Sequence, residues 1–189
     1  MDPEELECER LLQAGDPEAI PRLMKRYQRP LFSFLRHQVG DSGAAEDLLQ
    51  ELLIRVWGSR ERFQARQRLA AWLFTIARRL SIDHLEKSSR RRHESIDAEP
   101  DGKAPLKDVL RDPGETPERA LEGAALRRRL EEAIAALPDE QREVFLLRQY
   151  GEMGFVEIAA MTGCPLGTAL ARMRYAVLKL RKCLGETYA

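Results

Sequence analysis

The sequence has little of what marks secreted, disulfide-bonded or membrane-spanning proteins. Its 189 residues include three cysteines, Cys8, Cys164 and Cys183, and no two of them form a CxxC pair. An odd, widely spaced set favours a reducing cytoplasm over a disulfide framework. The uncharged apolar runs are far too short to cross a membrane, and the acidic N-terminus is unlike a secretory signal. We therefore expect a cytoplasmic protein with no direct membrane insertion.

Sequence motifs for catalysis are missing as well. The chain has no glycine-rich phosphate loop, no GxSxG motif and no histidine–glutamate pair at metal spacing. His93-Glu94 lacks the second histidine of a zinc-binding helix, and the three histidines, His37, His84 and His93, are too scattered to suggest a metal site. Cys164 fits a small turn residue better than a redox sensor, because no base or second thiol lies nearby in sequence. We expect no catalytic residue, no metal and no cofactor, and a protein that is not an enzyme.

Strand patterns are the third absence. β-Branched residues are sparse and never alternate with polar residues over the length of a strand, so the fold class predicted is all-α. Apolar residues recur instead at helical spacing, with Leu85 and Leu126 among the expected inward positions. The predicted helices cover about 3–14, 17–40 with Pro30 interrupting or restarting the helix, 44–57, 68–92, 117–137, 139–150, 155–162 and 166–184.

One stretch breaks the helical pattern over a longer distance. Residues 95–116 have no sustained period and contain three prolines and two glycines, a composition typical of a linker. The sequence therefore predicts two small helical domains, 1–94 and 117–189, joined by a flexible linker over 95–116.

Charge is unevenly distributed in a chain whose formal net charge is zero. Residues 60–92 hold ten basic side chains against three acidic ones, and residues 166–184 hold five basic side chains and no acid. The intervening stretch 97–117 holds six acids against three basic residues. Attraction to phosphates is local, so a neutral chain with two basic faces is able to bind DNA. The alternative is that both faces are simply solvated, and basic residues at the end of the helix over 68–92 also suit its dipole.

Residues 154–184 have the pattern of a helix-turn-helix DNA-binding unit. A short helical segment ends at Thr162-Gly163-Cys164-Pro165, and a longer basic segment follows at once. The inward stripe predicted for the second helix is Leu166, Leu170, Met173, Val177, Leu180 and Leu184, widened by Ala169 and Ala176. The alternative to DNA binding is an amphipathic helical hairpin with a solvated basic face.

Four segments in order, 45–57, 68–85, 136–150 and 154–174, together resemble the extracytoplasmic-function (ECF) group of bacterial sigma factors. The resemblance implies a transcription initiation factor that binds core RNA polymerase and reads the −10 and −35 elements of promoter DNA. It also implies two helical domains on a flexible linker, with a helix-turn-helix in the second, and control by an anti-sigma factor as a further partner.

The resemblance implies roles for particular positions. The core polymerase contacts would be Asp47, Leu48, Gln50, Glu51, Ile54 and Arg55. The −10 contacts would be Phe63, Arg66, Arg68, Arg78, Arg79, His84, Lys87, Arg90 and Arg91. The −35 contacts would be Thr168, Ala169, Ala171, Arg172, Arg174 and Lys179. The apolar stripe of the polymerase-contacting segment is wider than one core face needs, which agrees with an intermolecular surface.

The chain departs from the family at two places that bear on base reading. Arg79 stands where the family usually has asparagine, and Leu170-Ala171 stands where it usually has lysine-serine. Both departures remove hydrogen-bonding side chains, which leaves Thr168, Arg172 and Arg174 as the expected −35 readers.

Two other classes of function compete with this interpretation. The C-terminal domain alone would fit a helix-turn-helix regulator that responds to a signal bound by the N-terminal domain. A protein-interaction adaptor would need neither basic face to touch DNA. The N-terminal domain has no evident ligand pocket in sequence and carries its own basic patch, which argues against the first of these.

Overall fold

The computed structural model describes residues 3–63, 68–94 and 117–185, and for 92–94 and 117–122 it describes the backbone alone. Within these ranges every regular element is helical, which confirms the all-α prediction. The helices are α1 Pro3–Ala14, α2 Ala19–Val39, α3 Ser42–Gly58, α4 Leu69–Glu94, α5 Pro117–Ala135, α6 Asp139–Tyr150, α7 Phe155–Thr162 and α8 Leu166–Gly185, with a 3₁₀ turn at Arg60–Arg62. The linker predicted over 95–116 lies outside the described residues.

The N-terminal half is built around α2, which contacts α1, α3 and α4. Phe34 of α2 and Phe74 of α4 meet edge to face with ring centroids 5.3 Å apart, the arrangement that aromatic quadrupoles favour. The α2–α3 junction has a glycine and an aspartate that end one helix and begin the next. Gly40 takes the left-handed conformation at φ 78° and its N–H donates to Arg36 O at 2.8 Å, while Asp41 Oδ1 accepts from the Ala44 N–H at 2.7 Å.

Pro30 neither interrupts α2 nor restarts it, because α2 is continuous from Ala19 to Val39. Proline lacks the N–H that would donate to the preceding turn, so one hydrogen bond is lost. Leu23 and Tyr27 before it and Leu31 and Phe34 after it are all buried on the same face. Packing of both halves against one core therefore outweighs the local cost of the proline.

α1 is tied to the rest of the domain through two buried acids. The Tyr27 hydroxyl donates to Glu5 Oε1 at 3.0 Å, and the Glu9 carboxylate accepts a hydrogen bond from the Leu69 N–H at the start of α4. Burial is the main reason that the pKa of Glu9 is raised, and the neighbouring Glu5 raises it further. Glu9 thus satisfies a backbone donor that the first turn of α4 would otherwise leave free.

The C-terminal half consists of α5 to α8, with α8 packed against α5, α6 and α7. The inward face predicted for α8 is wrong at its start, because Leu166 and Leu170 are 44 % and 46 % exposed. The buried line runs instead through Ala169, Ala176 and Leu180. Small side chains at the contact let two helices approach closely, so at the start of α8 Ala169 faces the core, and Leu166 and Leu170 do not.

Two further core assignments need correction. Leu85 on α4 is 36 % exposed and Leu126 on α5 is 45 % exposed. α5 also ends at Ala135, earlier than the predicted end near Leu137, although Leu137 itself is buried. No helix in the described part of the chain is long and apolar enough to cross a membrane.

Candidate protein and nucleic-acid interfaces

α3 presents one exposed face to solvent. Asp47, Gln50, Glu51 and Ile54 are all exposed and lie on the same side of the helix at spacings of three and four. Ile54 is 73 % exposed, the highest value among the large hydrophobic residues that are exposed in the described ranges. An exposed isoleucine flanked by acids and an amide is suited to contact with another protein. We refer to these four residues as the α3 face.

The two remaining residues of the predicted polymerase set behave differently. Leu48 is 6 % exposed and belongs to the core, so its side chain supports the helix rather than its outer surface. Arg55 is exposed, but its Nε donates to Glu51 Oε1 at 3.0 Å and its Nη1 lies 4.0 Å from Asp83 Oδ2. Arg55 therefore links α3 to α4 and partly neutralises Glu51.

The predicted −10 residues fall into separate groups. Arg79, Lys87, Arg90 and Arg91 of α4 are exposed, and His84 is half-buried. Arg90 Nη2 lies 3.8 Å from the Glu86 carboxylate, an exposed pair that contributes little energy. These cations remain available to solvent, whereas Arg66 lies outside the described residues.

Phe63 is buried, at 5 % exposed, and its ring lies 5.1 Å from the Trp72 ring. The expectation that the Phe63 side chain contacts DNA therefore needs correction, because the ring is part of the hydrophobic core. It packs against Trp72 near the start of α4, the helix that carries the exposed cations.

Arg68 and Arg78 point to the C-terminal half of the molecule. Arg78 Nε donates to Glu143 Oε1 on α6 at 2.7 Å, and the two side chains are 23 % and 17 % exposed. Arg68 Nη1 lies 3.3 Å from Glu157 Oε2 on α7 and 3.4 Å from the carbonyl oxygen of Glu152. Both guanidinium groups thus contact carboxylates, not solvent alone.

A second contact joins the two halves at the end of α2. Arg36 Nη2 lies 3.2 Å from Glu131 Oε2, and the His37 ring lies 5.8 Å from the Tyr150 ring. His37 Nδ1 is 2.7 Å from Ser33 O, and its buried Nε2 has no hydrogen-bond partner among the described atoms. Burial lowers the pKa of His37, and the nearby Arg36 and Arg142 lower it further, against the opposing effect of the Ser33 carbonyl.

The turn of the helix-turn-helix has the geometry that its sequence predicts. Gly163 is left-handed at φ 67°, and its N–H donates to Ala159 O. Cys164 Sγ lies 3.2 Å from Thr162 Oγ1, which also donates to Ile158 O at 2.8 Å. These contacts fit a turn role for Cys164. No group of three or more metal-ligating side chains lies close together in the parts of the chain that are described.

The predicted −35 residues occupy three environments on α8. Ala171, Arg174 and Lys179 are exposed, and Thr168 is half-buried. Ala169 is fully buried, so its side chain is unable to touch DNA and it must be removed from the set. Arg172 is half-buried like Thr168, and its guanidinium has a partner on another helix.

Arg172 is held by an acid on another helix. Its Nη2 lies 2.7 Å from Glu140 Oε2 in the first turn of α6, with the side chains 20 % and 71 % exposed. A guanidinium has five donors, so the pair leaves others free, but it fixes the direction of the side chain. Sequence reasoning missed Glu140 because the two residues lie far apart in the chain.

The exposed hydrophobic residues near Arg174 on the same helix were also missed as surface residues. Leu170, Tyr175 and Leu178 are 46 %, 57 % and 49 % exposed. If the buried face of α8 had been assigned to Ala169 and Ala176, the helical period would have placed these residues on the exposed face. They lie beside the exposed Arg174, so the outer surface of α8 alternates cations with apolar groups.

The family model for Sigma-70 region 2 matches residues 23–91, and the model for Sigma-70 region 4 matches residues 127–180. The ECF RNA polymerase sigma factor RpoE of Cereibacter sphaeroides is 33 % identical over 168 residues, 88 % of this chain and 87 % of that protein. The ECF RNA polymerase sigma factor SigW of Bacillus subtilis is 28 % identical over 93 % of this chain and 94 % of its own.

Solved structures share the fold. The sigma factor RpoE of Bartonella quintana, in complex with the anti-sigma factor NepR, superposes with a TM-score of 0.70 at 24 % identity, over 87 % of this chain and 95 % of that one. CnrH, in complex with the cytosolic domain of CnrY, gives 0.65 at 19 % identity over 98 % and 99 %. The exposed α3 face, the basic outer side of α4 and the helix-turn-helix thus lie within matched regions, and the chain belongs to the ECF family of RNA polymerase sigma factors.

Proposed function

We propose that this sigma factor joins core RNA polymerase through the α3 face, contacts the −10 element through α4 and reads the −35 element through α8. The observation that carries the proposal is the presence of two solvent-facing basic helices, one in each family-matched region, beside a separate apolar and acidic face. A regulator that binds DNA through one helix-turn-helix domain would need only one of the two basic helices. We further propose that it acts in the cytoplasm and has no catalytic residues of its own.

The polymerase contact is supported by the chemistry of the α3 face. Ile54 offers exposed apolar area that the fold itself does not use, and burying it against a partner is favourable. Asp47 and Glu51 flank it and would favour a partner with basic side chains. Leu48 packs α3 against the core, so it would affect polymerase binding only by positioning the α3 face.

The −10 contact is supported by exposed cations on α4. Arg79, Lys87, Arg90 and Arg91 project into solvent, where each is able to pair with a phosphate of a single or double strand. The planar guanidinium of Arg79 is also able to stack on bases. The amide of an asparagine at this position would not stack in the same way. We expect this departure to change base preference at one position and to strengthen contact with the backbone.

The −35 contact is supported by the exposed side of α8. The N-terminal part of a recognition helix meets base edges in the major groove, and there this chain presents Leu170, Ala171 and Arg174. An arginine is able to contact guanine through two hydrogen bonds, and an apolar side chain is suited to a thymine methyl group. Lys179 lies further along and would contact phosphate.

Control by an anti-sigma factor is the remaining part of the proposal. The related sigma factor of Bartonella quintana is described in complex with an anti-sigma factor, and the present chain keeps exposed hydrophobic residues in both domains. A partner that covers the α3 face would compete with polymerase for the same residues.

Affinity for core polymerase tests the proposal. We expect purified protein to bind core polymerase, and the double charge reversal of Asp47→Lys with Glu51→Lys to weaken binding while the circular-dichroism spectrum stays native. Reversal of Glu7 and Glu18, which lie on α1 and before α2, is a charge-matched control that should leave affinity unchanged. Equal affinity of both double variants and the parent would rule out the α3 face.

A further inference from the structure

A third basic surface lies on α2, outside the two helices assigned to promoter DNA. Arg22, Lys25 and Arg29 are exposed, and their spacings of three and four residues place them on one side of the helix. At 1.5 Å per residue, the three positions span about 10 Å along that side. Leu23 and Tyr27 are buried on the other side. We refer to the three cations as the α2 stripe.

The cations of the α2 stripe are available to an external partner. None of them takes part in an ion pair with another residue that the structure describes. The neighbouring Arg26 is excluded from the stripe, because it is half-buried and its guanidinium lies over the Tyr27 ring, 5.6 Å from the ring centroid.

The acid Glu7 on α1 has a partner other than the α2 stripe. Arg10 Nε and Nη2 donate to its carboxylate at 2.8 and 2.7 Å. The hydrogen bond from Arg10 is the main reason that the pKa of Glu7 is lowered, and the charge of Arg22 adds a smaller contribution. Glu7 is thus bound by Arg10 and leaves Arg22 without a hydrogen-bonded anion.

The surroundings of the α2 stripe favour a nucleic acid over a protein as its partner. The centres of protein interfaces are depleted in lysine, and their binding energy comes from a few buried anchor residues. None of the large hydrophobic residues that are exposed in the described ranges lies on α2, whereas the α3 face has Ile54. Phosphate binding needs no apolar anchor, because surface cations displace counterions from the nucleic acid.

We propose that the α2 stripe binds phosphate groups of DNA beside the −10 element, as a sequence-independent contact separate from that of α4. α2 packs directly against α4, so DNA bound by α4 runs past the same domain. Contacts to phosphate fix the position of a protein on DNA and carry no base preference of their own. The inference goes beyond the three contacts proposed above and rests only on the binding of DNA by this chain.

The three cations should not contribute equally. Glu4 of α1 lines a cavity of about 140 Å³ together with Arg22 and Lys25, so its carboxylate partly offsets their attraction for phosphate. No acid in the described part of the chain forms an ion pair with Arg29. We therefore expect Arg29→Ala to weaken DNA binding more than Arg22→Ala does.

The salt dependence of DNA binding gives the expected size of the effect. Each phosphate contact contributes about 0.7 to the slope of log affinity against log salt for a single strand, and about 0.9 for a duplex. Loss of three contacts should therefore flatten the slope by about 2 for a single strand or about 3 for a duplex. Between about 50 and 200 mM salt, the parent should then lose about 20-fold or about 40-fold more affinity than a variant without the stripe.

The experiment uses the full chain with three alanine substitutions in the stripe, Arg22→Ala, Lys25→Ala and Arg29→Ala. The matched control removes three other exposed arginines, and so the same net charge, by Arg10→Ala, Arg127→Ala and Arg128→Ala. Fluorescence anisotropy measures the affinity for labelled DNA of random sequence, single-stranded and duplex, over a range of salt concentrations. Circular dichroism and urea unfolding verify that both variants are folded.

We expect the stripe variant to have the flatter slope on one or both forms of DNA, while the control variant keeps the slope of the parent. Arg22→Lys with Arg29→Lys should also keep it, because the charges remain. A stripe variant with the parent's slope on both forms, or a control that flattens the slope equally, would overturn the proposal. Weaker binding to core polymerase with an unchanged DNA slope would overturn it as well and identify the stripe as a protein contact.

Failure of this inference is distinguishable from failure of the proposed function. If Arg79→Ala with Lys87→Ala weakens DNA binding and the stripe variant does not, the −10 role of α4 holds and the α2 stripe is not a DNA contact. If the stripe variant flattens the slope and the α4 variant binds like the parent, the stripe is supported and the −10 role of α4 is wrong.

Discussion

Ile54→Ala should weaken binding to core polymerase without destabilising the protein. The change removes three carbon atoms at about 0.8 kcal/mol each when buried. Scaled by the 73 % of the residue that solvent reaches in the free chain, the loss comes to about 1.8 kcal/mol, or about 20-fold in Kd. Because the side chain contributes little to the core, the free energy of unfolding measured in urea should stay within about 0.5 kcal/mol of the parent.

The assay is titration of labelled protein with core polymerase, read by fluorescence anisotropy. Leu6→Ala is the matched control, since Leu6 is an exposed leucine on α1, 43 % exposed, outside the matched family regions. We expect that control to bind like the parent. If Ile54→Ala also bound like the parent, the isoleucine would not be buried by polymerase and the α3 face would be wrongly located.

Three further predictions follow from single side chains. As pH falls below the ordinary His pKa of 6.5, protonation should destabilise the packing of His37 against Tyr150, because burial lowers the pKa of His37 in the folded chain; the midpoint of urea unfolding should fall over this range, and His37→Phe should abolish that fall. In binding-site selection with the full chain, Arg174→Ala should relax preference at one or two −35 positions, at about 1–3 kcal/mol each, whereas Lys179→Ala should weaken all sites evenly and reduce the salt slope by about one. Gly163→Ala should cost about 1 kcal/mol in urea unfolding, because only its positive φ opposes a side chain.

Helix ends were predictable because their chemistry is local. The left-handed Gly40 and Gly163 and the capping Asp41 act within a few residues of their own position. A proline signal was less reliable: Pro30 lies inside a continuous helix, because burial of the segments on both sides decides the outcome. That burial depends on the folded domain and is not visible in the sequence next to Pro30.

The buried line of α8 could not be settled from its own sequence. Leucines and alanines form two neighbouring stripes at helical spacing, and hydrophobicity favours the leucines. The fold selects Ala169 and Ala176, which are fully buried where α8 packs against α5, α6 and α7. The error matters for function, since it placed Leu170 inside and Ala169 among the residues expected to touch DNA.

The partners of the cations were also beyond the reach of the sequence. Residue type and spacing identified Arg78 and Arg172 as basic positions on amphipathic helices, but not the acids that hold them. Glu143 and Glu140 both lie on α6, at sequence distances that only the folded arrangement closes. A basic helix therefore predicts an interface, while its free and occupied cations are known only from tertiary structure.

The measurement that tests the account most directly is transcription in vitro with purified core polymerase on fragments of the source genome, with start sites mapped by sequencing. The account predicts new start sites that require the protein and share a −35 and a −10 element at constant spacing, with the Arg174→Ala variant altering the choice among them. Start sites that are the same with and without the protein would contradict its role as a sigma factor.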